Sequence, residues 1–323
     1  MKRLLKDWTL GLAMLIGTVC YLLFAYVPSL EPYGDSMAPF FDAILPLFMF
    51  CILFVTFCKV DFHKMRPVRW HAGVGIVQVF FVAVVMAIIL LAKLKGNALI
   101  LAEATLCCIV SPCAAAAPVV TQKLGGRLEE MTTYTFLSNF ITVAFIPICF
   151  PLIEKANNMT FLQAFLTILY QVFTILVVPM LIAYIVKHYM KRIHRKIISV
   201  KDLSYYLWAC SLMIVTGTTV KNICHAETSA WFVMLIAFVG LLLCMMQFAI
   251  GRKIGTNSGA KVEAGQALGQ KNTAFAIWTA YTYLNPLSSV GPGCYILWQN
   301  IINSIEIWKK NTRPLTPPQG KGI

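Results

Sequence analysis

Acidic charge is what this sequence has least of. Thirteen Asp and Glu stand against 27 Lys and Arg in 323 residues, and charges of both signs make up only 12% of the chain. With 59% hydrophobic residues, that balance excludes an ordinary soluble domain. No Gly-x-Ser-x-Gly, His-Glu-x-x-His or Gly-x-x-x-x-Gly-Lys pattern occurs, nor a pair of intramembrane aspartates, so the sequence signatures of hydrolases, zinc proteases and P-loop NTPases are missing. There is no polar stretch long enough for an appended soluble domain that couples energy or signals. Cysteine is present eleven times but never as CxxC, and Cys107-Cys108 is an adjacent pair. Neither a zinc site nor any other metal or cofactor is expected, and thiols scattered through apolar runs behave as small apolar residues.

What the chain has instead is apolar runs about 20 residues long. Ten can be counted, starting near Trp8, Phe40, Ala72, Ala98, Met131, Phe161, Leu203, Ala230, Val262 and Ser289. The first, Trp8 to Val27, follows a basic start and has no small-residue cleavage site after it, so it reads as a span and not as a signal peptide. The prediction is an all-α membrane protein with ten transmembrane helices. Lys and Arg set its orientation: 22 of the 27 fall on the side of the N-terminus, and only Lys93, Lys95, Lys155 and Lys221 fall on the other. This predicts a multi-pass protein of the cell (inner) membrane with both termini cytoplasmic. It also gives the net charge of +14 a role at the anionic lipid surface and none with nucleic acid.

Five spans per half make the two halves, residues 1–157 and 158–308, inverted repeats, followed by a short cytoplasmic tail, 309–323, rich in proline and glycine and expected to be disordered. The fourth segment of each half is interrupted. One carries Ser111-Pro-Cys-Ala-Ala-Ala-Ala-Pro, and the other runs from Gly265 through Gly269 to Asn272. Pro112 and Pro118 remove backbone donors, while Gly265 and Gly269 lower the cost of unwinding. Paired broken helices are the best sequence pointer to a transporter's binding site, because half-helix ends present unpaired N–H and C=O groups. Cys113 lies in the first break. The second break holds the feature most in need of explanation, Lys271, an ammonium in an apolar run where a charge is costly and usually functional.

Three local patterns resemble the bile acid:sodium symporter family over nearly the whole chain. Gly75-Ile-Val-Gln78-Val-Phe is similar to the family's glutamine segment in the third helix. Gly269-Gln270-Lys271-Asn272-Thr-Ala resembles its Glu-x-Gly-x-Gln-Asn motif. Asn285-Pro-Leu-Ser-Ser-Val-Gly-Pro-Gly through Trp298-Gln299-Asn300 resembles the start of its tenth helix followed by Trp-His-Asn. The resemblance implies a panel of helices 1, 2, 6 and 7, a core of helices 3–5 and 8–10, helices 4 and 9 crossing at their breaks, and alternating access by rocking.

The departures from that pattern concern the ion site. Where the family places sodium-binding oxygens, this chain has Ala117 and Pro118 for a Ser-Asn pair, Ala267 for the glutamate and Lys271 for the glutamine, while Gln78, Thr135 and Gln270 remain. Sodium needs several oxygen donors, so the expectation is sodium-independent operation with a protonated Lys271 in the ion's place. Its N–H groups would be met by Gln78, Thr135 or Ser138, and by carbonyls at the broken ends. Glu263, eight residues before Lys271 on one helix face, is the candidate for a carboxylate partner and could restore an ion site through a local insertion. Asn272, Gln299, Asn300 and Asn139, with Lys271, are the candidate contacts for a small organic anion such as a carboxylate or a bile-acid-like molecule. Lys271 would either hold that anion directly or load and release a proton during transport. Two alternatives remain: a metalloid oxyanion efflux carrier using Cys113, which resembles the related arsenite carriers, and a transporter-like receptor. An enzyme is not expected.

Overall fold

The computed structural model describes residues 9–154, 159–200, 203–225 and 228–312. Most of the proposed tail, including Pro314, Pro317 and Pro318, lies outside them, as do Trp8 and Lys155. Every element longer than an isolated bridge is helical among the described residues. The helices are α1 (Thr9–Tyr26), α2 (Glu31–Cys58), α3 (Arg69–Leu91), α4 (Gly96–Val110), α5 (Ala117–Lys123), α6 (Leu128–Ile153), α7 (Phe161–Leu176), α8 (Val178–Tyr189), α9 (Lys191–Ser199), α10 (Leu203–Cys224), α11 (Ala230–Thr256), α12 (Lys261–Gly269), α13 (Thr273–Tyr283) and α14 (Val290–Thr312).

Among the described residues, five helical stretches are long and apolar enough to cross a bilayer, and a bent sixth qualifies when its two arms are taken together. That sixth is α2, which turns by 43° between Glu31–Phe41 and Ala43–Cys58. Pro46 has no N–H to offer the carbonyl at position 42, which is where the axis bends. The helix starts nine residues before the apolar run at Phe40, because Pro32 sits in its first turn, where a missing N–H costs nothing. The sixth apolar run is likewise two helices, α7 and α8, separated at Val177 ahead of Pro179. Large apolar side chains stand exposed along the outer helix faces, among them Leu91, Tyr170 and Trp231, at 83%, 73% and 78%. Patches of this extent are not tolerated in water and mark surfaces solvated by lipid.

The largest buried cluster draws side chains from both halves of the sequence, among them Leu53, Leu106, Ile146, Ile168 and Phe275. The helix α10 lies against α1 and α2, and α2 against α8; α11 lies against α12 and α14, with α3, α4 and α13 behind them. Backbones come close where glycine permits. A Cβ on Gly251 would stand 2.2 Å from the Ala264 carbonyl oxygen, so α11 and α12 can touch only without one. The basic run that begins at Lys187 contains the short helix α9. His194 Nε2 lies 2.7 Å from the Cys58 carbonyl oxygen, and Lys187 Nζ donates to the Val60 carbonyl at 2.5 Å, holding this segment beneath the end of α2.

Candidate functional site

The interruptions of the two broken helices lie against each other. After Val110 the chain turns extended at Ser111, with Pro112 next, and α5 resumes with Pro118 in its first turn. The helix α12 stops at Gly269, Gln270 is extended, and the Asn272 side chain accepts from Phe275 N at 3.3 Å to cap α13. Ala114 N donates to the Gln270 carbonyl at 2.9 Å and Asn272 N donates to the Pro112 carbonyl at 2.8 Å, so Cys113 and Lys271 face each other as one antiparallel bridge. These bonds offset part of the cost of unwinding two helices away from water. Gly269 is required here because a Cβ would fall 2.3 Å from the Phe248 ring.

Lys271 is 1% exposed and among the largest fully buried side chains. Its Nζ donates to the carbonyls of Ile109 at 2.9 Å and Ser111 at 3.3 Å. Those carbonyls belong to the last turn of α4, where the helix dipole leaves its negative end, so the ammonium sits where a cation is stabilised. No carboxylate pairs with it among the described residues. The Gln299 side chain brackets the lysine's backbone, Oε1 accepting from Lys271 N at 2.9 Å and Nε2 donating to Lys271 O at 3.2 Å. Tyr295 donates to the Gly269 carbonyl at 2.8 Å, and Gln247 Nε2 donates in turn to the Tyr295 oxygen at 3.0 Å.

The expected side-chain acceptors for the ammonium are engaged otherwise. Gln78 is a second donor: its Nε2 lies 3.1, 3.4 and 3.3 Å from the carbonyls of Ile109, Val110 and Ser111, while its Oε1 accepts from Tyr134. Thr135 donates to Met131 in its own helix, and Ser138 Oγ accepts from Cys113 N at 3.0 Å. Ala117, Pro118 and Ala267 line the same region without a side-chain oxygen, and the buried Gln270 leaves its Oε1 unpartnered.

Glu263 is not the lysine's partner. Its carboxylate accepts from Arg127 N at 2.8 Å and Arg127 Nε at 3.0 Å, because the helix ends at Gly269 and the intended helix face does not continue to Lys271. Asn139 is also placed elsewhere: fully buried, it donates to Met180 Sδ at 3.4 Å and joins α6 to α8. Asn300 donates back to Ile296 in its own helix. Asn272, half-buried, and Gln299, bonded to the lysine's backbone, therefore stay beside Lys271, whereas Asn139 and Asn300 lie in separate environments. Cys113 is 1% exposed, and no cluster of three metal-ligating side chains occurs among the described residues.

One buried group was missed. Glu103 in α4 is 0% exposed, with Ser288 Oγ donating to its Oε2 at 2.5 Å and Asn285 N at 3.3 Å. The signal was present in the sequence as a lone acid within an apolar segment.

Compared with known proteins, residues 46–226 match the family model described as the sodium bile acid symporter family, more than half of the chain. No curated protein matches it.

Proposed function

Because the chain belongs to the sodium bile acid symporter family, whose members are secondary transporters of small solutes and not enzymes, we propose that it carries an organic anion by alternating access, with Lys271 in place of a bound sodium ion. The family match ends at residue 226, so this reading of the second half rests on the resemblance of the segment around Lys271 and on geometry. The observation that carries it is the pair of bonds from Lys271 Nζ to the carbonyl end of α4. A resident ammonium there supplies the positive charge that an ion would bring, and three family oxygen positions are Ala117, Pro118 and Ala267. With its N–H groups turned onto backbone and its side chain buried, Lys271 serves the role of fixed cation better than that of direct cargo ligand. Asn272, next to it and partly open, is the cargo contact this reading favours.

In this proposal the chain has ten spans in two inverted repeats, 1–157 and 158–308, in the inner membrane with cytoplasmic termini. The packing of α1, α2, α8 and α10 supports a panel, and that of α3 to α6 with α11 to α14 supports a core that rocks against it. The buried thiol of Cys113 gives no support to a metalloid carrier.

The test begins with purified protein screened against organic anions for thermal stabilisation in sodium-free buffer, since a ligand that binds the native state raises its apparent stability. The hit is then assayed for counterflow in proteoliposomes. Counterflow without sodium is the expected result. Stabilisation without turnover would identify a receptor, and failure of every anion to stabilise or move would overturn the cargo class.

A further inference from the structure

A cleft lies between the start of α12 and the end of α14, and the transport reading above gives it no role. It encloses about 610 Å³, within the range of small-molecule sites. Four cations line it, Arg252 of α11, Lys261 of α12 and Lys309 and Lys310 of α14, against one carboxylate, Glu306. Arg252 pairs with Glu306, and its guanidinium also sits 5.5 Å from the centre of the Phe248 ring. Lys310 Nζ donates to the Lys123 carbonyl at 2.9 Å, a neutral partner, and neither Lys261 nor Lys309 has an ion pair among the described residues. Three ammonium groups are left without a carboxylate to balance them, which is the charge pattern of an anion site.

The rest of the lining decides what kind of anion. Leu124, Val262, Ile302 and Ile305 give the cleft an apolar wall. Beside it, Ile301, Ile305 and Trp308 stand exposed at i, i+4 and i+7, a stripe along one face of α14. Trp308 is 63% exposed and directly precedes Lys309, and a tryptophan so placed at the end of an apolar helix marks the headgroup level of a bilayer. An apolar wall with ammonium groups at headgroup depth matches a phospholipid, its phosphate against the lysines and its acyl chains along the isoleucines. Inorganic phosphate would leave that wall unused.

Two buried amides specify the headgroup. Gln266, which lines the cleft, is 1% exposed; its Nε2 donates to Asn303 Oδ1 at 2.8 Å and to Glu306 Oε2 at 3.2 Å, while its Oε1 has no hydrogen-bond partner. Asn303 is buried as well, and its Nδ2 is likewise unpartnered. An enclosed acceptor and an enclosed donor on two bonded side chains are matched by a group that both donates and accepts, as a hydroxyl does. A choline headgroup does neither, and the ammonium of ethanolamine only donates. We propose that this cleft binds an anionic phospholipid whose headgroup carries hydroxyls, of the phosphatidylglycerol type, with Lys261 and Lys309 on the phosphate and Gln266 and Asn303 on the headgroup hydroxyls.

Such a lipid joins two elements of the central site. Its phosphate holds the start of α12, the half-helix that leads to Lys271, against the end of α14, which carries Gln299.

The test is native mass spectrometry of the full-length protein, delipidated in detergent and titrated with single lipids. Phosphatidylglycerol is expected to fill one saturable site about tenfold more tightly than phosphatidylcholine. It should also bind about threefold more tightly than phosphatidylmethanol, which has the same charge and no headgroup hydroxyl. Lys261→Gln combined with Lys309→Gln should weaken phosphatidylglycerol binding by about tenfold. Arg192→Gln combined with Arg195→Gln should change it by less than about twofold, because these arginines line a hollow on the exposed basic face of α9 that has no apolar wall. Equal binding of phosphatidylglycerol and phosphatidylcholine to the wild type would overturn the site without any variant having to fold. Equal binding of phosphatidylglycerol and phosphatidylmethanol would overturn the hydroxyl assignment, and displacement of the lipid by millimolar inorganic phosphate would overturn the lipid in favour of a free anion. Equal losses in the two double variants would reduce the effect to overall charge and overturn the cleft. The readout needs no cargo, so it stands or falls separately from the anion-transport reading.

Discussion

At the scale of the residue, Lys271 and Glu263 are two buried charges with opposite solutions. Lys271 is held by backbone carbonyls, and charge-assisted bonds of this kind contribute about 1.5–3 kcal/mol each. Replacing it with Met should abolish transport by tenfold or more while lowering the unfolding temperature by only a few degrees, because Gln78 Nε2 still serves the same carbonyls. Loss of the folded protein in size-exclusion chromatography would instead make the lysine a structural residue. Glu263 is held by Arg127, so Arg127→Ala should destabilise by about 2 kcal/mol through the buried carboxylate left behind. Adding Glu263→Gln should recover part of that loss in a thermal melt, and a purely additive double variant would contradict the pairing. Lys271 was legible in the sequence because a charge in an apolar run is conspicuous. The Arg127 partnership was not, since it joins positions 136 residues apart and depends on where α12 begins and ends.

At the scale of the element, the breaks follow from residues that refuse a helix. Pro112 offers no donor, and Gly269 is the one residue type that fits against the Phe248 ring. The starts of α7, α10 and α11 coincide with apolar runs that follow polar punctuation, which is why they could be read directly. The division of α7 from α8 and the bend in α2 were not read, although Pro179 and Pro46 mark them, because proline inside an apolar run can also be carried by an unbroken helix, as Pro147 is in α6. Close approach of helices leads to a graded prediction. At Gly251 a Cβ would meet the Ala264 carbonyl oxygen at 2.2 Å, fixed backbone that has nowhere to go. At Gly265 it would meet Arg252 Cγ at 2.7 Å, part of a flexible side chain. Gly251→Ala should therefore cost roughly 2 kcal/mol or more, as overpacking does, and Gly265→Ala should cost distinctly less. Equal melting temperatures for the two variants would remove the close α11–α12 contact from the account.

At the scale of the whole molecule, the asymmetry of Lys and Arg predicts both termini on the cytoplasmic side. A C-terminal green fluorescent protein fusion should fluoresce and a C-terminal alkaline phosphatase fusion should be inactive; the reverse pair would invert the topology. Membership of the sodium bile acid symporter family was legible from the motifs near Gln78, Asn272 and Asn300, and it establishes a secondary transporter. The identity of the cargo was not legible, because Asn139, Asn300 and Asn272 share a residue type yet point to Met180, to their own helix and to a helix cap. The central claim, that an internal ammonium replaces the family's bound cation, is tested most directly by titrating sodium chloride against choline chloride at constant ionic strength. The measurement is the rate of uptake of the stabilising anion into proteoliposomes. The account predicts the same rate at every sodium concentration, and a strict, saturable dependence on sodium would contradict it.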